Sequence, residues 1–310
     1  MTIVNPFDLP RLDRKAERRT EPGWLDGLLA DPATRIVPVW HGRSLVTGPR
    51  EAPRAWMPRA GDDWWRAAAG DMAVLGVLDG RAYLGVDVSA LEDPESHPEL
   101  GGRGAFVDLR GIGSLMDPVE GALLAHAKAL AWFHARHRFC GACGAPTTAI
   151  EAGNARICGR EACAVQVFPR MDPAVIVLVH DPDRDRCLLA RSPRFPEGMH
   201  SVLAGFVEAG ESLEATIARE IREESGIEVT DIAYHSSQPW PFPQSLMLGF
   251  FARAATTEIA FDGEELVEGG WYDRAFLESL DRDARPGEVP FAVPPRQSIA
   301  RRLIEDWLAG

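Results

Sequence analysis

The chain has 310 residues, enough for about two domains, with 45% hydrophobic and 25% charged residues, an ordinary globular composition. Its net charge of −13 excludes a molecule built as a whole to attract nucleic acid, and no stretch approaches the roughly 20 apolar residues of a membrane span. The opening segment MTIVNPFDLPRLDRKAERR has no apolar core and carries Asp8, Asp13 and Glu17, so a signal peptide is not expected and a cytoplasmic location is.

Residues 1–136 form an expected N-terminal α+β domain with weak motifs. Residues 74–88, VLGVLDGRAYLGVDV, are two apolar runs joined by Asp79-Gly80, a hairpin signal. The acidic, proline-containing run from Glu92 to Gly104 is expected to be a surface loop. A helix is predicted from Val119 to Arg136, with Leu123, Ala127, Leu130 and His134 on one stripe. A dinucleotide-binding GxGxxG turn is not found, because Gly111-Ile112-Gly113-Ser114-Leu115-Met116 lacks the last glycine.

Residues 137–167 carry four of the five cysteines as Cys140-x₂-Cys143, fourteen residues, then Cys158-x₄-Cys163. Two close pairs across a short loop suit tetrahedral thiolate coordination of Zn²⁺. Four thiolates leave no position for water, so the zinc would be structural, holding a ribbon too small for a core of its own. Disulfides are the alternative, one that a cytoplasmic chain of this length does not need. Cys187 stands apart in a strand-like segment as a core thiol. Arg136, His137, Arg138, Arg156, Arg160 and Arg170 gather around the cysteines, either as a solvated surface or as a local basic patch.

Residues 168–310 form the expected catalytic domain. AVIVLVH (174–180) is a buried strand, Arg186 to Arg191 its partner, and Leu246 to Ala252 a later strand. SIARRLIEDWL (298–308) is an amphipathic helix with Ile299, Leu303 and Trp307 on one side. Strands alternating with helices on both sides predict an α/β sandwich. No long internal repeat is apparent.

The most informative segment is GFVEAGESLEATIAREIREESGI, Gly205 to Ile227. Leu213, Ile217 and Ile221 repeat every four residues without an intervening proline or glycine, and Gly226 supplies a left-handed stop. On that helix Glu220, Glu223 and Glu224 share one face, where like charges destabilise by a few tenths of a kcal/mol per pair. A cation that neutralises them explains the cluster better than a solvated acidic face.

This segment resembles the Nudix box, the signature of hydrolases that cleave a nucleoside diphosphate linked to another moiety. The resemblance implies an α/β/α sandwich in which Glu220, Glu223 and Glu224 hold Mg²⁺ or Mn²⁺. Arg219 is read as pointing away from the acidic face and pairing with Glu211. Glu223 and Glu224 are both candidates for the general base. Farther along, SQPWPFPQS (237–245) resembles the marker of the NADH pyrophosphatase branch of that family. Its order with the four cysteines, FPRMDPAVI, GEELVEGGWY and PPRQSIARRLI matches over roughly residues 138 to 305. By that resemblance the chain would cleave NADH or NAD⁺ at the pyrophosphate, giving nicotinamide mononucleotide and AMP, or remove the NAD cap from RNA by the same cleavage. Glu265 would be a fourth metal carboxylate. Ser245 would hydrogen-bond substrate and Phe206 would stack on a nucleotide ring. Trp240 and Phe242, between three prolines, are candidates to line a pocket for a base. A homodimer would complete the nucleotide pocket with an aromatic from the partner subunit, and Phe168 stands where the family usually has tyrosine, which loses a phenolic hydrogen bond. A non-hydrolytic sensor of NAD or ADP-ribose is the contrasting reading, and four retained carboxylates argue against it.

Overall fold

The computed structural model of the chain describes residues 4–310 apart from 63, 95, 101 and 262. Two compact units account for them: residues 7–171 with 240–244, and residues up to 6 with 172–239 and 245–310.

In the first unit, α1 (Trp24–Ala30) precedes β1 (Arg35–Trp40), β2 (Arg43–Thr47) and β3 (Arg54–Ala55). After α2 (Trp64–Ala68) come β4 (Met72–Leu78), β5 (Arg81–Asp87) and β6 (Ala105–Val107), followed by α3 (Leu109–Ile112) and α4 (Pro118–Arg136). Asp79 and Gly80 both take positive φ, 49° and 75°, so β4 and β5 close as the hairpin that the Asp-Gly pair predicts. The strands run in the order β3-β2-β1-β5-β4, with β6 also on β2 and β1 parallel to β5. Alternation along β1 divides the core. Val37 and Val39 pack with Leu123, Leu124, Ala127 and Leu130 of α4, whereas Ile36 packs with Trp24 and Trp65 on the other face. Asp117 caps α4 by accepting from Val119 and Glu120, and Pro118 occupies the first helical turn. Between Glu92 and Gly104 the described residues form bends and turns, but Leu100 is buried in the core.

The ribbon, β7 (Thr147–Ile150), β8 (Ala155–Cys158) and β9 (Gln166–Val167), forms a three-stranded sheet. It borrows the core it lacks. Asn154 donates to the Val74 carbonyl of β4 at 3.0 Å, and a side chain on Gly153 would meet the Met72 carbonyl oxygen at 2.0 Å. Arg156, expected in an exposed basic group, is instead 5% exposed. It donates to Asp71 at 2.8 Å, to Thr147 Oγ1 at 2.8 Å and to His134 Nδ1 at 2.7 Å. His134 Nε2 in turn donates to the Gly153 carbonyl, and burial lowers its pKa, which fits the neutral ring that accepts from Arg156. Breaking a buried ion pair from one side leaves a charge without compensation. Arg156→Ala is therefore expected to destabilise the fold by about 3–5 kcal/mol, read by denaturant unfolding, and a loss below about 1 kcal/mol would contradict the buried assignment.

The second unit is built on β10 (Asp172–Asp181), β11 (Arg186–Arg191), β12 (Leu203–Phe206), β13 (Val229–Trp240), β14 (Ser245–Ala254) and β15 (Glu268–Asp273). Its helices are α5 (Leu213–Ser225), α6 (Arg274–Ser279) and α7 (Ile299–Ala309). β10 lies inside the order β13-β14-β10-β11-β15, parallel to β14 and antiparallel to β11 and β12. Val175, Val177 and Val179 point to Ile217 and Ile221 of α5, and Ile176 and Leu178 point to Ile299, Leu303 and Ile304 of α7. A sheet covered on both faces needs the continuous apolar run that β10 supplies. This is the α/β/α sandwich expected from the alternation of strands and helices, and Cys187 is fully buried within it.

The two sheets share one plan that no sequence repeat reveals. In each, a first hairpin (β1/β2, β10/β11) sets its first strand parallel to a later one (β5, β14). Its second strand pairs antiparallel with the last strand (β6, β15), and a long helix follows (α4, α7). The difference lies between them: where the second sheet has the 13-residue α5, the first has the five-residue α2, which holds no glutamate.

Candidate active site

The site grows from the turn between β12 and α5. Ser212 caps α5 by accepting from the Ala215 amide at 3.2 Å, and Gly226 ends it at φ 72°. Glu211, one residue before the cap, accepts from the Glu208 amide and from Thr216 Oγ1. Arg219 clamps Glu211 through two bonds, Nε to Oε1 at 2.6 Å and Nη2 to Oε2 at 2.8 Å, and also donates to the Phe206 carbonyl. The Arg219 guanidinium holds the Glu211 carboxyl down to about 2.

Arg219 does more than the expected pairing. Its Nη1 lies 2.9 Å from Glu220 Oε1 and 3.1 Å from Glu223 Oε2, so the guanidinium reaches onto the acidic face rather than away from it. Residues 219 and 223 are i and i+4 on one helix, hence neighbours, which brings the guanidinium onto that face. Arg219 ties the loop, the helix and two of the clustered carboxylates together.

Glu220 lies over Gly205 of β12. A Cβ at Gly205 would fall 2.0 Å from Glu220 Cδ, so only glycine lets this carboxylate lie against the strand. That burial raises the Glu220 pKa against the opposing pull of Arg219. Glu224 is 7% exposed, while the Glu223 side chain is 55% exposed. Glu220, Glu223 and Glu224 line a cavity of about 670 Å³ together with Glu265, Phe206 and Arg219. Phe206 is 59% exposed, its ring available at the cavity wall. Such a set of carboxylate oxygens has the chemistry that hard divalent cations prefer.

Other expected residues lie elsewhere. Ser245 opens β14 opposite Asp172 and is buried, outside the cavity lining. Trp240 and Phe242 belong to the first unit, packed against Phe7 with ring centroids 6.1 and 5.8 Å away. Phe168 belongs there too and is half exposed. Conversely, the lining includes Glu208, Glu264, Arg194 and Phe195, which the sequence reading did not single out. Glu264 stood next to Glu265 and was legible; Arg194 and Phe195 lie in an irregular proline-flanked loop without periodicity.

The four ribbon cysteines converge as their spacing predicts. All four Sγ atoms lie within 4.8 Å of one another, with Cys143–Cys158 at 3.4 Å and Cys140–Cys163 at 3.9 Å, and none is in a disulfide. Zinc–sulfur bonds of about 2.3 Å in a tetrahedron set sulfurs about 3.8 Å apart, so the thiols fit zinc.

A glutamate-bearing helix after a glycine strand, on a sandwich of this topology, defines the Nudix hydrolase class. Residues 170–291 match the NUDIX domain family, residues 33–132 the NADH pyrophosphatase-like rudimentary NUDIX domain, and residues 135–168 the NADH pyrophosphatase zinc ribbon domain. Over 240 residues the chain is 43% identical to the "NAD-capped RNA hydrolase NudC" of Mycobacterium bovis BCG Pasteur, covering 76% of this chain and 74% of that protein. The protein of the same name in Mycobacterium tuberculosis H37Rv shares the same identity and coverage. The human "NAD-capped RNA hydrolase NUDT12" is 40% identical over 195 residues, 61% of this chain and 42% of that one. The chain belongs to the Nudix hydrolases, in the branch that joins an NADH pyrophosphatase-type rudimentary Nudix domain and zinc ribbon to the catalytic domain. Among the described residues, no helix is long and apolar enough to cross a membrane.

Proposed function

We infer that the chain hydrolyses the pyrophosphate bond of NAD-containing substrates, NADH and NAD⁺ as free dinucleotides and the NAD cap of RNA by the same cleavage. The observation that carries this reading is the convergence of Glu220, Glu223, Glu224 and Glu265 on one cavity walled by the exposed ring of Phe206. The decapping substrate is supported by the names of the relatives at 40–43% identity.

In this mechanism Glu220, Glu223, Glu224 and Glu265 would hold the catalytic cation. When bound, Mg²⁺ or Mn²⁺ supplies neutralisation of the pyrophosphate and a lowered pKa for a water. Glu223 or Glu224 takes the proton of the water that attacks phosphorus. Arg219 fixes Glu211, the Phe206 carbonyl and the glutamate face in one rigid turn, so the carboxylates are placed before substrate arrives. Phe206 stacks on a nucleotide ring, a contact of about 1–3 kcal/mol. The roles of Ser245, Trp240 and Phe168, a homodimer whose partner subunit adds an aromatic, and a cytoplasmic location are proposals resting on the family resemblance.

The test is to compare kcat/KM for NADH, NAD⁺, ADP-ribose and NAD-capped RNA with Mg²⁺ and with Mn²⁺. Turnover of an NAD-containing substrate that requires either cation supports the reading. Metal-independent turnover, or cleavage of ADP-ribose alone, would overturn it.

A further inference from the structure

A second cavity lies wholly within the first unit. Its volume is about 940 Å³, within the usual range of roughly 300–1,000 Å³ for small-molecule sites. It opens at the carboxyl ends of the parallel neighbours β1 and β5, where the paired Val39 and Asp87 lie near the strand ends and His41, Gly42 and Ser89 follow them. Ligands of open α/β sheets favour that end of the strands, because loops there supply side chains above a rigid floor. α4 forms the wall with Lys128 and Trp132, and the segment Pro241-Phe242-Pro243 closes it.

The lining has a definite chemistry. Arg110, Lys128 and Arg138 face only two lining carboxylates, Asp87 and Asp108, so the cavity carries excess positive charge in a protein of net charge −13. The Arg110 guanidinium and the Lys128 ammonium stand 5.1 and 5.6 Å from the centre of the Phe242 ring. Arg110 is oriented by donating to the Phe242 carbonyl, and Lys128 by donating to the Gly42 carbonyl. Burial lowers the Lys128 pKa, a desolvation cost that a bound anion would offset. Trp132 is fixed through Nε1 to Gln244 at 2.9 Å while its ring lines the wall. Clustered cations beside flat rings match one ligand chemistry, a phosphate attached to a base.

We propose that this cavity binds a nucleoside monophosphate unit, its phosphate held by Arg110, Lys128 and Arg138 and its base against Trp132 and Phe242. Two sources carry that unit: a free nucleotide, or one nucleotide of an RNA chain, the second of which rests on the decapping reading above. None of the three cations belongs to the glutamate cavity, so the two sites separate by mutation.

The experiment titrates UMP into the full chain by calorimetry, comparing wild type with Arg110→Ala, Lys128→Ala and Arg138→Ala. Each substitution is expected to weaken binding about tenfold, the loss of one charge-assisted hydrogen bond. Arg138 is exposed, so its variant should melt with the wild type and report binding free of folding effects. UMP binding unchanged in all three variants, or absent from the wild type, overturns the proposal. An RNA source predicts that Arg138→Ala lowers kcat/KM for NAD-capped RNA about fivefold or more while NADH turnover is unchanged. A free-nucleotide source predicts equal behaviour of both substrates and an effect of added UMP on NADH turnover that Arg138→Ala removes. If the wild type hydrolyses neither substrate yet UMP binding still follows the three cations, the functional reading fails and the cavity assignment stands.

Discussion

Glu223→Gln is expected to lower kcat for NADH by about 10²–10⁴-fold, the range for removing a general base, with the fold intact. The substitution is nearly isosteric, and glutamine still offers Arg219 Nη1 an acceptor oxygen where Glu223 Oε2 now lies at 3.1 Å. The side chain is more than half exposed, so no buried contact is lost. What disappears is a negative charge that can hold a cation or take a proton. Glu214→Gln, an exposed change in the first turn of the same helix, is the control and should leave kcat within about twofold. Circular dichroism and melting should match the wild type for both. If Glu223→Gln retains kcat within about threefold, the glutamate face is not the catalytic one, whatever the fold.

Loss of the ribbon metal should have the largest effect on stability. Structural zinc in small peptides binds with an apparent free energy of roughly 10–16 kcal/mol, and that binding is folding energy. Here the ribbon also leans on β4 through Asn154 and Gly153, and on Asp71 and His134 through Arg156, so metal removal should unfold the ribbon and loosen the sheet edge it covers. Cys140→Ser, or treatment with a zinc chelator, is expected to lower the melting temperature by more than about 10 °C. Elemental analysis should find one zinc per chain before treatment. A melting temperature insensitive to the chelator but lowered by a reductant would contradict the assignment, because it would mean that the cysteines are cross-linked.

What the sequence revealed and what it hid divide along one line. The box helix was legible from Ser212 to Gly226 because its signals are local: an apolar repeat, a capping serine and a terminal glycine. The four cysteines were legible because tetrahedral thiolate sites need close pairs. Arg156 was misread as part of a surface group because its partners, Asp71 and His134, lie 85 and 22 residues away. Nothing near position 156 signals its burial. Gly205 was seen as a motif position, but its reason, the Glu220 side chain lying across it, appears only once strand and helix are packed. The shared plan of the two sheets escaped for a related reason: strand order is set by pairings between distant segments, and at the matching place the first sheet has α2, without the glutamates that mark the helix of the second. Arg219 was misread despite a local signal: its i,i+4 relation to Glu223 puts it on the acidic face, not away from it.

The central claim, that the chain breaks a pyrophosphate linkage by attack of water on phosphorus, is tested most directly by hydrolysing NADH in ¹⁸O-labelled water with Mg²⁺ and weighing the products. AMP and reduced nicotinamide mononucleotide are the expected products, with one ¹⁸O on the phosphate of one of them. Release of nicotinamide with ADP-ribose, or binding of NADH without any product, would contradict it.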